Sequence, residues 1–502
     1  MTVTNSEIIS FYNGQNIFLT GATGFVGKLV IDQLLRKCDV NKVYLLIRPK
    51  KGLEPKQRTE KLFQDIIYER LRNEKPDFIE KVEILDGDLS QDNLGLSEEN
   101  YLKIIEKTNI VIHGGATVRF DEIMRKATAI NVKGTLTIVN LCHKIKHLKA
   151  FVYISTAFSN CVHREIKEEF YDPPIACDEL MKVVKCNTDE ELETLTPKLL
   201  GKWPNSYAFS KAIAEDVINK YAKGLPASVF RPAIIIGTDN EPIPGWIDNV
   251  YGPTGILAGT AAGIIRVIKA NPEATACIVP ADMVAAAIVA AVYKTSLMGP
   301  SNEITIYNYV TEPENPLTWH DYMHNCTKIG DEMPVQQSVW RHSCSLEPNP
   351  FLFTFYSFLL HYLPALLIDL TFLILGKKQR ALKAVDKVSK FMKVLSYFSM
   401  KSWKFSNNNL RALWIGLNST DKELFQFDMK TIDWSEYFKK AIPGIRLYIF
   451  KEAEDTIPDA IKRMERQQLI QTVLTRFVYC ITACLMWKLT CSFLAINQLS
   501  AI

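Results

Sequence analysis

The sequence predicts an α/β protein with a doubly wound, parallel, Rossmann-like sheet, followed by a smaller and mainly helical C-terminal domain. Two observations predict the sheet. Short apolar segments alternate with amphipathic ones in the first half of the chain, and a glycine-rich turn follows the first apolar segment. A third observation, the long apolar and basic segments after Leu346, predicts the second domain and its association with a membrane.

Six short apolar segments have the composition of buried parallel strands. They lie at positions 16–20, 43–47, 82–85, 109–113, 151–155 and 227–231. Amphipathic stretches between them, such as 28–37 and 127–146, predict helices on both faces of the sheet. We therefore expect a dinucleotide-binding catalytic domain over 13–285, with 286–350 completing the substrate region.

Composition limits the classes of function. With 47% hydrophobic and 23% charged residues among 502, the chain is expected to fold around a packed core. A net charge of +4 does not indicate a nucleic-acid partner. The 11 cysteines form no Cys-x-x-Cys pair, so we expect no disulfide framework, no metal site and a reducing compartment. The N-terminal residues do not resemble a secretory signal, which favours a cytosolic catalytic domain.

The stretch 351–376 contains no lysine, arginine or glutamate and is long enough to cross a bilayer. Pro364 interrupts it, and His361 and Asp369 are costly in lipid. Two interpretations stay open at this point. The stretch is either a helical hairpin that dips into one leaflet or a buried helix pair within the C-terminal domain.

The C-terminal domain is predicted over 377–460 and begins with a basic segment. Positions 377–404 carry nine lysines or arginines against the single acid Asp386, with apolar residues at helical spacing. Such a helix fits an anionic membrane surface or an acidic ligand such as CoA, although a simple solvated face is the alternative. The tail at 469–496 is apolar except for Arg476 and Lys488, which favours a C-terminal membrane anchor over an interfacial helix.

The glycine-rich turn follows the first predicted strand and has the spacing Gly-x-x-Gly-x-x-Gly. Gly21 permits the sharp turn, Gly24 lets the backbone approach a pyrophosphate, and Gly27 lets the following helix pack closely on the strand. The amides at the start of that helix then face the phosphates. The predicted cofactor contacts in this turn are Thr20, Gly21, Thr23, Gly24, Phe25, Val26 and Gly27.

Arg48 follows the second predicted strand, where an NAD site normally has an acidic residue for the ribose hydroxyls. A guanidinium at this position suits a 2′-phosphate, so the sequence favours NADPH over NADH. Lys50 and Lys51 either add to the positive field there or lie in solvent.

Two further strand ends are predicted to contact the cofactor. Asp88 and Leu89 follow the third strand near the expected adenine, and Gly115 and Ala116 follow the fourth, where small residues let the cofactor lie against the sheet. His113 is interpreted as a capped strand-end histidine without a catalytic role.

A Tyr-x-x-x-Lys pair, Tyr207 and Lys211, places a phenol and an ammonium group on one face of a predicted helix. A reduced carbonyl must receive a proton, and a nearby ammonium group is expected to lower the phenol pKa toward neutrality. The predicted strand end at Thr156 offers a hydroxyl to the same carbonyl, with Ser155 as the alternative donor. Lys211 is also expected to hydrogen-bond the nicotinamide ribose.

In this order, the glycine turn, Arg48, Thr156 and the Tyr207/Lys211 pair resemble the extended short-chain dehydrogenases. The Gly-Trp-Ile-Asp-Asn block at 245–249 and the Ile-Asp-Trp block at 432–434 narrow the resemblance to the alcohol-forming fatty acyl-CoA reductases, over nearly the whole chain. The similarity includes Asn131, where that superfamily has an active-site or helix-shaping asparagine, and also Arg231 and Pro232; it implies that these residues contact the cofactor.

This resemblance implies two successive hydride transfers from NADPH that convert a long-chain fatty acyl-CoA to a fatty alcohol with release of CoA. It also implies a membrane-attached enzyme; the endoplasmic reticulum is favoured, with the peroxisome and the lipid droplet as alternatives. Two other interpretations share the N-terminal half: a dehydrogenase or epimerase acting on a steroid or nucleotide sugar, and a non-enzymatic lipid-bound scaffold.

Overall fold

A seven-stranded parallel sheet lies at the centre of the computed structural model, which describes residues 5–49 and 52–499. The strands are β1 (Asn16–Thr20), β2 (Lys42–Ile47), β3 (Val82–Asp86), β4 (Ile110–His113), β5 (Ala150–Ile154), β6 (Ala227–Pro232) and β7 (Thr305–Tyr309). Their order across the sheet is β7-β6-β5-β4-β1-β2-β3, and every neighbouring pair is parallel. This order reverses between β1 and β4, as the doubly wound prediction requires.

All six predicted strands are confirmed, with bounds that shift by one residue or less. The seventh strand, β7, was not predicted, because its sequence Thr-Ile-Tyr-Asn-Tyr mixes polar and apolar residues. The side-chain Nδ2 of its buried Asn308 donates to the carbonyl oxygens of Ile166 and Ser406. Hydrogen bonds to distant segments therefore let a polar side chain occupy a buried position in this edge strand, which a hydrophobicity pattern does not predict.

Helices cover both faces of the sheet and form most of the C-terminal half. The helices of the first half are α1 (Glu7–Tyr12), α2 (Phe25–Asp32), α3 (Pro55–Phe63), α4 (Glu69–Glu74), α5 (Glu98–Lys107), α6 (Met124–Ala127), α7 (Gly134–Lys144), α8 (Cys177–Cys186), α9 (Asp189–Leu200) and α10 (Ser206–Tyr221). The later helices are α11 (Gly252–Ala261), α12 (Ala281–Met298), α13 (Trp319–Glu332), α14 (Pro350–Ser357), α15 (Leu363–Ile374), α16 (Ala381–Ser399), α17 (Asn408–Ile415), α18 (Ser419–Leu424), α19 (Trp434–Gly444) and α20 (Ile457–Leu499).

Two predicted helices begin earlier than expected. The helix expected at 28–37 starts at Phe25 as α2 and continues through a π-helical turn at Gln33–Lys37. The helix expected at 127–146 starts at Met124 and also contains a π-helical turn, Thr128–Lys133, before α7. The early start of α2 brings its first amides directly behind Gly24, where they face the cofactor position.

Three pairs of short strands complete the fold among the described residues. Parallel pairs join Ile234–Ile236 to Ile278–Pro280, Val267–Ile268 to Ser345–Leu346, and Glu165–Ile166 to Lys404–Phe405. The C-terminal residues share one core with the sheet, because the Tyr309 hydroxyl donates to the Phe427 carbonyl oxygen at 3.0 Å and the Tyr437 hydroxyl to that of Gly237 at 3.1 Å.

Within the described residues, three helical stretches are long and apolar enough to cross a membrane by length and composition: Ala281–Met298, Pro350–Ile374 and Glu454–Lys488. The first, α12, is buried in the core, so its all-round apolar surface is explained by packing. The other two expose apolar side chains, including Phe351, Ile374 and Phe477.

The stretch predicted at 351–376 is neither broken at Pro364 nor a buried helix pair. It runs as α14, a π-helical turn at Phe358–Tyr362 and α15 without leaving the helical conformation. Pro364 falls at the start of α15, directly after the π-helical turn, where a disturbed hydrogen-bond ladder accommodates it. The turn after α15 leads into α16, so the hairpin is formed with the basic helix and not within the apolar stretch.

Candidate active site

The predicted cofactor turn lies at the carboxyl ends of β1 and β4, where the strand order reverses. Thr20 and His113 are register partners at these two ends. In open α/β sheets this crevice is the usual ligand site, because the connections on its two sides leave toward opposite faces of the sheet.

The glycines of this turn are required by close backbone contacts. Gly21 has a φ of 82°, and a Cβ on it would lie 2.7 Å from the Gly114 carbonyl carbon. A Cβ on Gly27 would lie 2.2 Å from the Gly21 carbonyl oxygen. Gly24 is the N-cap of α2 and offers no side-chain cap, so the first amides of that helix point outward. The turn therefore forms a cradle for an anionic group such as a pyrophosphate.

His113 has a structural role, as interpreted from the sequence. The Thr20 hydroxyl accepts from the Gly115 amide at 3.0 Å and lies 2.7 Å from His113 Nδ1, while His113 Nε2 lies 3.1 Å from the Thr135 hydroxyl. Burial, with a smaller effect of Lys211, lowers the pKa of His113 to about 3. The neutral imidazole therefore ties β1 to β4 and α7, and it holds no proton for catalysis near neutral pH.

Arg48 and a second arginine that was not predicted form a positive edge beside the glycine turn. Arg48 Nη1 donates to the Asp88 carboxylate at 3.2 Å, and the Arg48 side chain stays 41% exposed. Arg58, from α3, donates to the Arg48 carbonyl oxygen and to the Thr23 hydroxyl, the latter at 3.0 Å. Lys50 and Lys51 lie outside the described residues. No sequence motif marked Arg58, because it reaches the site from the middle of an amphipathic helix.

The remaining predicted cofactor residues surround this crevice. Leu89 packs against Gly115, since a Cβ on Gly115 would lie 2.5 Å from a Leu89 methyl group. Asn131 uses both of its polar atoms to hold the protein: Oδ1 accepts from the Thr117 amide at 2.9 Å, and Nδ2 donates to the Ser210 hydroxyl at 2.9 Å. The side chain thus positions the loop that begins at Ala116 and secures it to α10, which is a structural role of the kind that the resemblance offers as the alternative to an active-site role.

The structure brings Tyr207 and Thr156 together and separates them from Ser155. Tyr207 is half-buried at the start of α10 and neighbours the Thr156 hydroxyl. Burial raises the pKa of Tyr207 to about 12, and the Thr156 hydroxyl acts in the opposite direction. The Ser155 hydroxyl instead donates to Glu215. Of the two predicted hydroxyl donors, Thr156 is therefore the one available beside the phenol.

Lys211 occupies the position expected for it, one turn after Tyr207, but its electrostatic effect differs from the expectation. Its Nζ donates to the Ile154 carbonyl oxygen at 2.7 Å and lies 4.3 Å from the centre of the Tyr153 ring. Burial lowers the pKa of Lys211 to about 7, although Glu215 acts in the opposite direction. The expected lowering of the Tyr207 pKa by Lys211 is not found, because the ammonium group is directed at the strand end.

Glu215, which was not predicted, holds the catalytic strand end together. Its buried carboxylate accepts from Ser155, from Ser159 at 2.9 Å and from Arg231 at 2.9 and 2.6 Å. Arg231 is fully buried and also donates to the carbonyl oxygens of Lys167 and Glu169. Its guanidinium is thus a structural group behind the site, which corrects the expectation of a direct cofactor contact. Pro232 ends β6, and its carbonyl oxygen accepts from the Ala157 amide at 2.9 Å.

An aromatic wall packs beside Tyr207. We define it as Phe120, Phe158, Phe398 and Trp403. The Phe120 ring lies 5.8 Å from that of Tyr207 and 6.0 Å from that of Phe398, measured between ring centres. Since two members come from the C-terminal half, that half completes the surroundings of the phenol. The rings are far apart in sequence, so no local pattern predicts their assembly.

Two family models, both described as male sterility protein, match this chain. The NAD-binding model matches residues 19–288, and the second model matches residues 360–452. A fatty acyl-CoA reductase of Drosophila melanogaster is 40% identical over 97% of this chain and 94% of its own length. Human fatty acyl-CoA reductase 1 is 35% identical over 93% of this chain and 90% of its own length.

Solved structures share the fold at low sequence identity. The terminal R domain from the myxalamid biosynthetic pathway is 19% identical, with a TM-score of 0.56 over 86% of this chain and 90% of that domain. A reductase domain of a nonribosomal peptide synthetase from Mycobacterium tuberculosis is 18% identical, with a TM-score of 0.56 over 89% of this chain and 94% of that domain.

We predict that Arg231→Met destabilises the protein by roughly 3–5 kcal/mol, because it leaves the Glu215 carboxylate buried without its cationic partner. The matched control is Lys220→Ala, which removes a partly exposed ion pair with Asp216 and is expected to cost under about 1 kcal/mol. Urea unfolding in detergent, followed by tryptophan fluorescence, measures both. Equal losses for the two variants would contradict the role given to Arg231.

Proposed function

The chain belongs to the fatty acyl-CoA reductase family, and from this premise we propose that it reduces a long-chain fatty acyl-CoA to the fatty alcohol with NADPH and releases CoA. The observation that carries the proposal is the position of Tyr207. Its hydroxyl lies beside that of Thr156, and its ring borders an aromatic wall suited to an alkyl chain. Family membership favours this substrate class over a steroid, a nucleotide sugar or a non-enzymatic scaffold.

The residues present fit a dinucleotide. A side chain at Gly21 or Gly27 would collide with the backbone, and the first amides of α2 point outward, as a pyrophosphate requires. When bound, the nicotinamide supplies the hydride. Arg48 and Arg58 offer two guanidinium groups for the 2′-phosphate that distinguishes NADPH from NADH.

For the first reduction, Tyr207 and Thr156 are proposed to hydrogen-bond the thioester oxygen as it gains negative charge. Each such donor contributes on the order of 3 kcal/mol when aimed at the developing charge. Collapse of the resulting oxyanion expels the CoA thiolate and leaves the aldehyde. For the second reduction, Tyr207 donates its proton to the aldehyde oxygen. A phenol whose pKa is raised stays protonated at neutral pH but is a weaker acid than an ordinary tyrosine, so its proton passes to the strongly basic alkoxide that hydride addition creates.

The proposed setting is a membrane. The exposed apolar helix α20 is proposed to anchor the chain, with the catalytic residues on the cytosolic side. Long-chain acyl-CoA and fatty alcohol both partition into lipid, because each buried methylene contributes about 0.8 kcal/mol. We propose the endoplasmic reticulum as the location and the supply of alcohol for waxes, ether lipids or cuticle hydrocarbons as the role.

We predict that Tyr207→Phe lowers kcat by roughly 10²- to 10⁴-fold, because the proton donor is lost while the ring remains. NADPH binding, measured by the fluorescence of the nicotinamide, is expected to stay within about twofold of the wild-type value, since Tyr207 supplies no phosphate contact. Alcohol and aldehyde are quantified by gas chromatography after incubation with palmitoyl-CoA. A variant that keeps wild-type alcohol output would contradict the role of Tyr207.

Lys211→Met is predicted to lower turnover by roughly 100-fold or more, because the proposed hydrogen bond that positions the nicotinamide ribose is lost, without lowering the unfolding temperature. Burial lowers the Lys211 pKa from its ordinary 10.5 to about 7, so protons bind the unfolded chain more readily than the folded one. The free energy of unfolding therefore decreases as the pH falls from about 10 to 7. Methionine cannot bind a proton, so the variant lacks this decrease. The control is Lys202→Met, an exposed lysine before α10. A lowered unfolding temperature together with lost activity would indicate a structural role only.

Arg48→Ala and Arg58→Ala are each predicted to raise KM for NADPH by roughly 10- to 100-fold and to change KM for NADH by less than about threefold. The reason is that a guanidinium–phosphate hydrogen bond is lost only with the phosphorylated cofactor. Lys56→Ala, on the exposed face of the same helix as Arg58, serves as the control. Equal effects on the two cofactors would argue against a 2′-phosphate site at this edge.

A further inference from the structure

The helical stretch Pro350–Ile374 has its polar and apolar faces reversed relative to a helix of a soluble protein. Its buried residues recur every fourth position and are small or polar, namely Ser357, His361, Ala365 and Asp369. Its exposed residues are large and apolar, among them Phe351, Phe355, Phe358, Leu367, Leu370, Leu373 and Ile374. A soluble helix buries the apolar face, so this pattern indicates that lipid contacts the outer face.

The buried polar row is bonded to the protein along most of its length. His361 Nε2 accepts from the Arg266 amide at 2.9 Å, in the segment before the short strand Val267–Ile268. The Asp369 carboxylate accepts from the amides of Arg380, Ala381 and Leu382 at 2.9, 2.9 and 3.0 Å. Asp369 therefore caps the first turn of α16 and holds the basic helix against the apolar one.

These attachments distinguish a helix that lies in the membrane plane from one that crosses it. At 25 residues the stretch is about 37 Å long, which is enough to cross a bilayer. A crossing would carry the middle of the helix, and with it Arg266 and the adjoining α16, to hydrocarbon depth. The exposed lysines of α16, Lys383, Lys387 and Lys390, would then face lipid at roughly 3 kcal/mol each.

We propose that Pro350–Ile374 is a docking element that lies in the plane of a single anionic leaflet, with its apolar face in lipid and the lysines of α16 among the phosphate headgroups. Charge complementarity favours an anionic lipid leaflet at this surface, because the adjoining segment 377–404 carries nine basic residues and one acidic residue. The proposal concerns the surface and does not depend on the reductase chemistry.

The element also leads to the candidate active site. Helix α16 starts at the Asp369 cap and ends near Phe398, whose ring lies 6.0 Å from that of Phe120 in the aromatic wall. The exposed apolar face and the wall beside Tyr207 are therefore joined by one helix. The apolar side of α16, which includes Val388, Met392 and Leu395, packs against a buried cluster that contains Ile256, Ile265 and Ile268, so α16 is fixed to the body of the protein between the two surfaces.

Photolabelling of the full chain tests the orientation. The protein is reconstituted in vesicles of phosphatidylcholine and phosphatidylserine that contain a phosphatidylcholine with a diazirine either near the headgroup or at the end of its acyl chain. Labelled peptides are located by mass spectrometry, with α20 as an internal reference for lipid contact. For an in-plane helix, the shallow probe is expected to label the whole exposed row from Phe351 to Ile374.

Two outcomes would overturn the proposal. Labelling of the two ends by the shallow probe and of the middle by the deep probe would indicate a crossing helix. Labelling of α20 without any labelling of the Pro350–Ile374 stretch would indicate that this face is covered by something other than lipid. Neither outcome depends on enzyme activity, so failure here is separate from failure of the proposed reaction.

A kinetic comparison adds a functional readout. Leu367→Glu combined with Ile374→Glu, both at exposed positions, is expected to lower turnover of vesicle-bound palmitoyl-CoA by roughly tenfold, because the two carboxylates resist entering the leaflet. Turnover of water-soluble hexanoyl-CoA is expected to stay unchanged, which excludes misfolding. Leu297→Glu, at a similarly exposed leucine of α12, is the control. Equal losses with both substrates, or no loss with palmitoyl-CoA, would contradict the proposal.

Discussion

The Glu215 carboxylate connects four parts of the molecule that have to be fixed together. It lies on α10 one turn after Lys211 and accepts hydrogen bonds from Ser155 at the end of β5, from Ser159 in the following loop and from Arg231 at the end of β6. A buried carboxylate is stable only when its hydrogen-bonding capacity is filled, so these elements cannot separate without exposing or stranding a charge. The distance between the phenol on α10 and the hydroxyl of Thr156 is set by this constraint.

The same constraint explains how adjacent hydroxyl residues acquire different functions. Ser155 follows β5 directly and is drawn toward Glu215, whereas Thr156, one residue later, points to Tyr207. Lys211 is held between the Ile154 carbonyl oxygen and the Tyr153 ring, and its burial keeps its pKa near 7. The polar groups of the candidate site are thus held in place by other groups of the protein, and such preorganisation is the condition for strong electrostatic stabilisation of the proposed oxyanion.

The sequence predicts those features that depend on local patterns. Six strands follow from short apolar runs, the cradle follows from the spacing of Gly21, Gly24 and Gly27, and the phenol follows from its four-residue spacing to Lys211. Features that depend on contacts between distant segments were missed or misassigned. Arg58 reaches Arg48 from another helix, and Arg231 satisfies a carboxylate and does not face the crevice. Charge type alone does not reveal which of several arginines meets a ligand and which meets a buried acid.

The apolar stretch after Leu346 shows why composition leaves two interpretations open and geometry does not. A hydrophobic run with His361 and Asp369 in it fits either a leaflet or a core, because hydropathy counts residues without regard to their direction. Once the helix is formed, those two residues fall on one row with Ser357 and Ala365, and that row faces the protein. His361 attaches the helix to the segment before Val267–Ile268, and Asp369 attaches it to α16. Their cost in lipid is therefore never incurred, and the apolar remainder is left free to enter a leaflet beside the site.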